Sequence, residues 1–314
     1  MGELVKLTYY VPYFMTNAYG IVSMEITMKY RQIVTSLVFF ISFSSYANPE
    51  QQHIKNNPKY SAEITVLSHG KRLPAIYYGA EGEGPHPTAI LLHGYPGNEK
   101  NLDVAQDVRD AGWNVFFFHY RGAWGAEGNF SFSGSEQDVT AVTKFLQQSN
   151  IAEKYNINTK KISYIGHSMG GHMAIAGILH NPEVRCSVVY DGANIGVTFK
   201  SDDIKVQELW ASYADSLFML QGWSGEASSK ELAEKGEQLN LIPKAHKITT
   251  RPILFISADS EVIPITEIDA VVNAMRKVDG NRVDYMVIKD DHSFNNNRSK
   301  LINVTKEFLN TNCR

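Results

Sequence analysis

The sequence is poor in cysteine, in excess charge and in long apolar runs, and each shortage closes off a class of function. Only two cysteines, Cys186 and Cys313, occur in 314 residues. With no HExxH run and no cluster of His and Cys at ligand spacing, neither a metal nor another cofactor is expected. The formal net charge is −3 with the 10 histidines counted neutral. A chain without a basic excess cannot neutralise a row of phosphates, so nucleic acid is not expected as a partner. The N-terminal apolar stretch, Ile33 to Phe43, is interrupted by Thr35, Ser36 and Ser42. A bilayer span needs about 20 apolar residues, so no stable membrane span is expected once this segment is removed. There is no internal repeat and no long low-complexity tract.

What is present is an ordinary globular balance, 43% hydrophobic and 20% charged residues, enough for a sizeable core. Ahead of it stands a targeting pattern. Met28-Lys29-Tyr30-Arg31 supplies positive charge, Ile33–Phe43 an apolar stretch, and Ser45-Tyr46-Ala47 small residues at the positions a signal peptidase reads. The expected location is therefore exported, periplasmic or secreted. No Cys follows Ala47, so a lipoprotein anchor is not indicated. Residues 1–27 fit neither signal nor domain, and Met28 or Met24 is the expected true start. Export would permit a disulfide. Cys186 falls in an expected core strand, where a free buried thiol is equally ordinary, so pairing stays open.

The remainder, about 60–314, reads as one domain. Ala62–Ser68 and Leu73–Tyr78 form an expected hairpin around His69-Gly70. From Thr88 the rhythm changes. Short apolar strands are expected at Thr88–Leu92, Asn114–Tyr120, Lys161–Ile165, Val184–Tyr190, Pro252–Ala258 and Val283–Ile288. Helices alternate with them at Asn101–Ala111, Ser135–Gln148, Met169–His180, Ile265–Val278 and Arg298–Leu309. Ser135 and Asp138 stand in capping-box spacing at the start of the second helix. The alternation predicts an α/β fold with a mostly parallel sheet covered on both faces. About 192–247 breaks it, and its aromatic residues with a Ser228–Leu239 helix read as a small helical cap insertion.

The chemistry concentrates at strand ends. Gly166-His167-Ser168-Met169-Gly170 lies between a strand and a helix, where such a pentapeptide forms a turn sharp enough to expose a serine nucleophile. His93-Gly94-Tyr95-Pro96-Gly97 follows the Thr88–Leu92 strand. Acyl transfer needs two amide donors aimed at the developing oxyanion, and the amides of Tyr95 and Met169 are the expected pair. His93 reads as structural, and His119 as a residue that could line the pocket. A serine hydroxyl needs a base, and His292, after the last strand, is placed for it. Three carboxylates compete to orient that base: Asp259 first, then Asp191 at the end of the Val184–Tyr190 strand, then Glu261. Arg121 reads as a tie between loops, and Asp138 as a helix cap.

From about Thr88 to Leu309 the chain resembles the α/β-hydrolase superfamily, in the branch of dienelactone-hydrolase-like esterases and serine peptidases of the prolyl oligopeptidase and aminopeptidase kinds. The resemblance rests on HGYPG at 93–97, FHYRGAWGAEG at 118–128, GHSMGG at 166–171, ILFISADSEVIP at 253–264 and DHSF at 291–294. It implies the α/β-hydrolase fold, Ser168 as nucleophile, His292 as base, Asp259 as acid, and the Tyr95 and Met169 amides as oxyanion hole. Two departures stand out. The acid-to-proline spacing of this loop would fall on Ser260, one residue past Asp259, which keeps Glu261 in play. Dienelactone hydrolases proper carry a Cys where this chain has Ser168.

The expected activity is hydrolysis of a carboxylic ester, with a small-molecule acyl substrate, through an acyl-enzyme. The alternatives are a serine peptidase or aminopeptidase of the same fold, and a noncatalytic binding relative. The aromatic residues of the cap favour an apolar acyl or aryl group over a peptide.

Overall fold

The computed structural model describes residues 58–248, 251–260 and 262–314. The expected export signal and the segment before it lie outside the described residues, as does Glu261.

A strand that is apolar at every position has to be covered on both faces, and the central strands divide their side chains accordingly. In β3 (His86–Leu92) and β4 (Asn114–Phe118) the residues alternate between two cores. Ile90, Leu92, Phe116 and Phe118 face one core; Ala89, Leu91, Val115 and Phe117 face the other. The first core is closed by α2 (Phe132–Gln147), α4 (Met169–His180) and α9 (Ile265–Arg276). The second is closed by α1 (Leu102–Asp110) and α10 (Arg298–Phe308). Each side chain buried this way contributes about 1.5–3 kcal/mol, and the two-sided burial holds the sheet between its helices.

The sheet has eight strands in the order β1-β2-β4-β3-β5-β6-β7-β8. The edge hairpin of β1 (Tyr60–Ser68) and β2 (Lys71–Gly79) is antiparallel and turns on His69 and Gly70, both at positive φ. From β4 through β3, β5 (Ile157–His167), β6 (Ser187–Tyr190), β7 (Ile253–Ala258) and β8 (Val283–Ile288) all pairing is parallel. The loops after β3, β5, β6, β7 and β8 therefore emerge at one end of the sheet, the end at which parallel sheets bind ligands.

The region read as a cap is helical: α5 (Ile195–Thr198), α6 (Ile204–Asp215), α7 (Gly225–Leu239) and α8 (Ala245–Ile248). A buried carboxylate pins α7 to the core. Glu231 Oε2 accepts from the Phe132 amide at 2.9 Å, and Oε1 accepts from the Ser133 amide and hydroxyl at 2.9 and 2.6 Å. These amides open α2, whose N-terminus favours negative charge.

Two local expectations need correction. The helix expected from Ser135 begins at Phe132, and its cap is Ser131, whose Oγ accepts from the Gly134 amide. Asp138 is therefore inside the helix and caps nothing. Its carboxylate instead takes the Arg121 Nε at 2.6 Å and the Ser68 hydroxyl at 2.6 Å, so Arg121, expected to join loops, ties the loop after β4 to α2. A short helix, α3 (Ser149–Lys154), had no expectation at all.

Cys186, just before β6, is bonded to Cys313 in the turn after α10, with Cα atoms 5.6 Å apart at a sequence separation of 127. Closing a loop of that length removes about 4–5 kcal/mol of chain entropy from the unfolded state. Among the described residues no helix is long and apolar enough to cross a membrane.

Candidate active site

Ser168 sits at φ 57 and ψ −121, between β5 and α4. A side-chain-bearing residue adopts that backbone only where its surroundings force it. Two glycines make the turn possible. A Cβ on Gly166 would lie 2.0 Å from the Gly170 carbonyl oxygen, and one on Gly170 would lie 2.0 Å from that of Leu92. Backbone thus meets backbone on both sides of the serine. The Ser168 amide donates to Tyr190 O at 2.9 Å, and Ala193 N donates back to Ser168 O at 3.0 Å. The elbow is thereby tied to the end of β6.

That end of β6 carries Asp191, buried at 1% exposure and held at φ 36. Its Oδ1 accepts from the Ala258 amide at 3.0 Å. Its Oδ2 accepts from the Ser260 hydroxyl at 3.1 Å and from His292 Nδ1 at 2.6 Å. The carboxylate partner of His292 is thus Asp191. Asp259, the first expectation, is exposed; its amide extends the sheet ladder to Ile288 O at 3.2 Å, and its side chain makes no hydrogen bond to His292. The reason is positional. β6 and β7 are parallel neighbours with Tyr190 level with Ile256, so Asp191 leaves β6 beside the last residues of β7, where the Ala258 amide holds its carboxylate, and Asp259 comes further along the chain.

Because a carboxylate oxygen accepts, His292 donates through Nδ1, which leaves the lone pair on Nε2. His292 Nε2 and Ser168 Oγ are not bonded to one another in this structure; such bonds are often long before substrate arrives.

On the other side of Ser168 runs the 93–97 loop. Gly94 passes so close that a Cβ there would lie 3.0 Å from Ser168 Cβ. The amides of Tyr95 and Met169 donate to no acceptor among the described residues, and Met169 opens α4, where the helix dipole favours negative charge. The loop is braced by the segment after β4. His93 Nδ1 donates to Gly94 O at 2.8 Å, so its Nε2 is free to meet His119 Nδ1 at 3.4 Å. Trp124 Nε1 donates to Pro96 O at 2.8 Å and the Tyr120 hydroxyl to His93 O at 3.2 Å. His119 therefore braces the loop through His93. Burial, and then His119, pull the His93 pKa down to about 3; burial pulls His119 down to about 4. Both act as neutral structural rings.

Tyr95 itself reaches into the cap. Its hydroxyl accepts from Trp223 Nε1 at 2.7 Å. Five rings, those of Phe130, Phe132, Phe199, Tyr213 and Trp223, lie 5.4–6.4 Å from its own. Burial pushes the phenol pKa up, so it remains a hydroxyl.

The residues that escaped sequence reasoning are Ser260, Glu231 and the Nε2 of His167, which lies 2.8 Å from His292 O. Nothing in residue type marks these roles, and the loop spacing that falls on Ser260 does not mark it as a donor to Asp191, since each acts on a partner at least 69 positions away.

The fold and these strand-end loops define a member of the α/β-hydrolase superfamily. Residues 75–279 match the BD-FAE family, to which the chain belongs. It is 31% identical over 139 residues to the 2-hydroxy-6-oxononadienedioate/2-hydroxy-6-oxononatrienedioate hydrolase of Escherichia coli (strain E24377A / ETEC), a match covering 42% of this chain and 44% of that one. The chain thus spans less than half the length of the curated relatives it matches. An esterase of Pyrococcus furiosus superposes with a TM-score of 0.61 at 19% identity, over 84% of this chain and 94% of its own. Est1E of Butyrivibrio proteoclasticus, solved with ferulic acid bound, gives 0.60 at 16% identity, over 79% of this chain and 98% of its own. At such identities the likeness is one of fold.

Proposed function

We propose that this protein is a serine hydrolase that cleaves a carboxylic ester through an acyl-enzyme. Ser168 Oγ attacks the carbonyl carbon and its proton passes to His292 Nε2. Asp191 keeps the imidazole in the tautomer that can accept it and balances the imidazolium that results. The Tyr95 and Met169 amides hold the tetrahedral oxyanion. Collapse expels the alcohol with the proton from His292, and a water activated by His292 then releases the acid. The observation that carries the reading is the buried Asp191 on Nδ1 of His292 at 2.6 Å, beside a serine held at φ 57. The aromatic surroundings of Tyr95 support an apolar acyl or aryl ester as substrate. The disulfide supports export, because such bonds persist in oxidising compartments.

A fluorophosphonate probe followed by mass spectrometry tests this. The adduct is expected on Ser168 alone. Ser168→Ala should take no label and lose about 10⁴–10⁶-fold in turnover. A folded protein without label at Ser168 would leave a binding relative as the better reading.

A further inference from the structure

A second tie joins the base to the nucleophile elbow, and it does not run through Asp191. His167 immediately precedes Ser168. Its Nε2 lies 2.8 Å from the backbone carbonyl oxygen of His292, and the two rings are tilted by 44° with centroids 4.6 Å apart. A carbonyl oxygen only accepts, so the proton of His167 is on Nε2. Nδ1 of the same ring is buried and has no partner among the described residues. For packing alone this is a poor choice, because an apolar ring would fill the space without stripping water from an orphaned nitrogen. What the histidine supplies and a phenylalanine would not is one donor, and that donor goes to the main chain of His292.

The rest of the His292 loop is held elsewhere. Asp290 accepts from Asn296 and Asn297, and Asp291 from Ser293 and Asn295. Arg298 donates to Ser293 O at 2.9 Å and grips Asp103 of α1. Phe294, at φ 58, is buried in the second core. These contacts bind the loop to itself, to α10 and to α1. The bond from His167 reaches the elbow.

We propose that His167 is a positioning residue, whose Nε2–H holds the His292 main chain at a fixed distance from Ser168 so that imidazole and hydroxyl stay in register. The inference rests on the reading of Ser168 and His292 as nucleophile and base. Burial, and then the neighbouring His292, pull the His167 pKa down to about 3, so the donor does not change where an ordinary histidine titrates. The other groups around His292 are Asp191 after β6, Asp290 and Asp291 in its own loop, and Arg298 at the start of α10.

Two variants of the full chain test the proposal. His167→Phe keeps a ring and removes the donor; His167→Gln keeps a side-chain N–H that can reach the carbonyl. Steady-state hydrolysis of a chromogenic aryl ester, thermal melting and the far-downfield proton signal of His292 Nδ1–H are measured on both. The Phe variant should melt cooperatively, lose about 10–100-fold in kcat with KM changed less than about twofold, and lose or broaden the downfield signal. The Gln variant should recover most of the kcat and the signal. Unchanged kcat and signal in the Phe variant, or a loss that Gln does not rescue, would overturn the proposal. Should the Phe variant not fold, His167→Asn, whose amide is too short to reach, takes its place with the same expectations. If the wild type takes no fluorophosphonate at Ser168, it is the hydrolase reading that fails. The proton signal then still decides whether His167 holds His292.

Discussion

On one side of Ser168 every contact that matters is a directed bond. Asp191 is fixed by Ala258 N and Ser260 Oγ, and it holds His292 at 2.6 Å. On the other side, where only the main chain of the 93–97 loop is held by directed bonds, the Tyr95 side chain lies among five aromatic rings, with a single hydrogen bond from Trp223 to its hydroxyl. The difference is one of tolerance. Directed bonds specify position to a few tenths of an ångström and fail when one partner goes, because a buried polar group is left unpaired. Aromatic packing is non-directional and adapts to a changed neighbour. In the reaction proposed above, the bonded side would move the proton and the aromatic side would take the apolar group.

The sharpest test of that contrast sets two acids at neighbouring strand ends against each other. Asp191→Asn should lower kcat by about 10⁴-fold, since the amide can leave His292 in the wrong tautomer. Asp259→Asn, an exposed side chain, should change kcat less than about twofold. Steady-state kinetics on one ester decide it, and the reverse ranking would break the assignment of the bonded side. A smaller effect is expected across the site. Trp223→Phe keeps a ring beside Tyr95 and removes one neutral hydrogen bond worth about 1 kcal/mol. Its kcat/KM should fall by less than about 10-fold; a loss as large as that of Asp191→Asn would show that the aromatic side also demands exact geometry.

The smallest effect concerns pH. His93 and His167 have folded pKa values lowered from 6.5 to about 3, and His119 from 6.5 to about 4, in each case by burial first. The unfolded chain binds these protons more readily, so the stability that neutral burial contributes is fully present above about pH 6.5 and is lost as pH falls through the window toward 4 and 3. Urea midpoints should therefore decline from pH 7 to pH 4. In His93→Asn the decline should be shallower, and an equal slope would mean His93 is not among the groups responsible.

Much of the fold was legible because it rests on local pattern. Helix α4 and strand β8 fall on their expected residues, Met169–His180 and Val283–Ile288, since their apolar runs are bounded by clear stops. The Ser168 elbow was legible because two glycines at fixed spacing answer a steric demand within five residues. The start of α2 is ambiguous in the sequence because Ser131, Ser133 and Ser135 all qualify as caps; in the structure Ser131 is the cap and Glu231 of α7 holds the amide that follows it. The acid is not legible in the sequence, because Asp191 and Asp259 both follow apolar strands.

By itself the sequence determined the alternation of strands and helices, the elbow at Ser168 and the placing of His292 after the last strand. Each depends on periodicity or on steric limits among near neighbours. The tertiary structure alone decided which carboxylate meets His292, that Cys186 pairs with Cys313, and that His167 reaches the His292 main chain. Those pairings join residues 101, 127 and 125 positions apart, and such distances are closed only when the sheet brings its strand ends together.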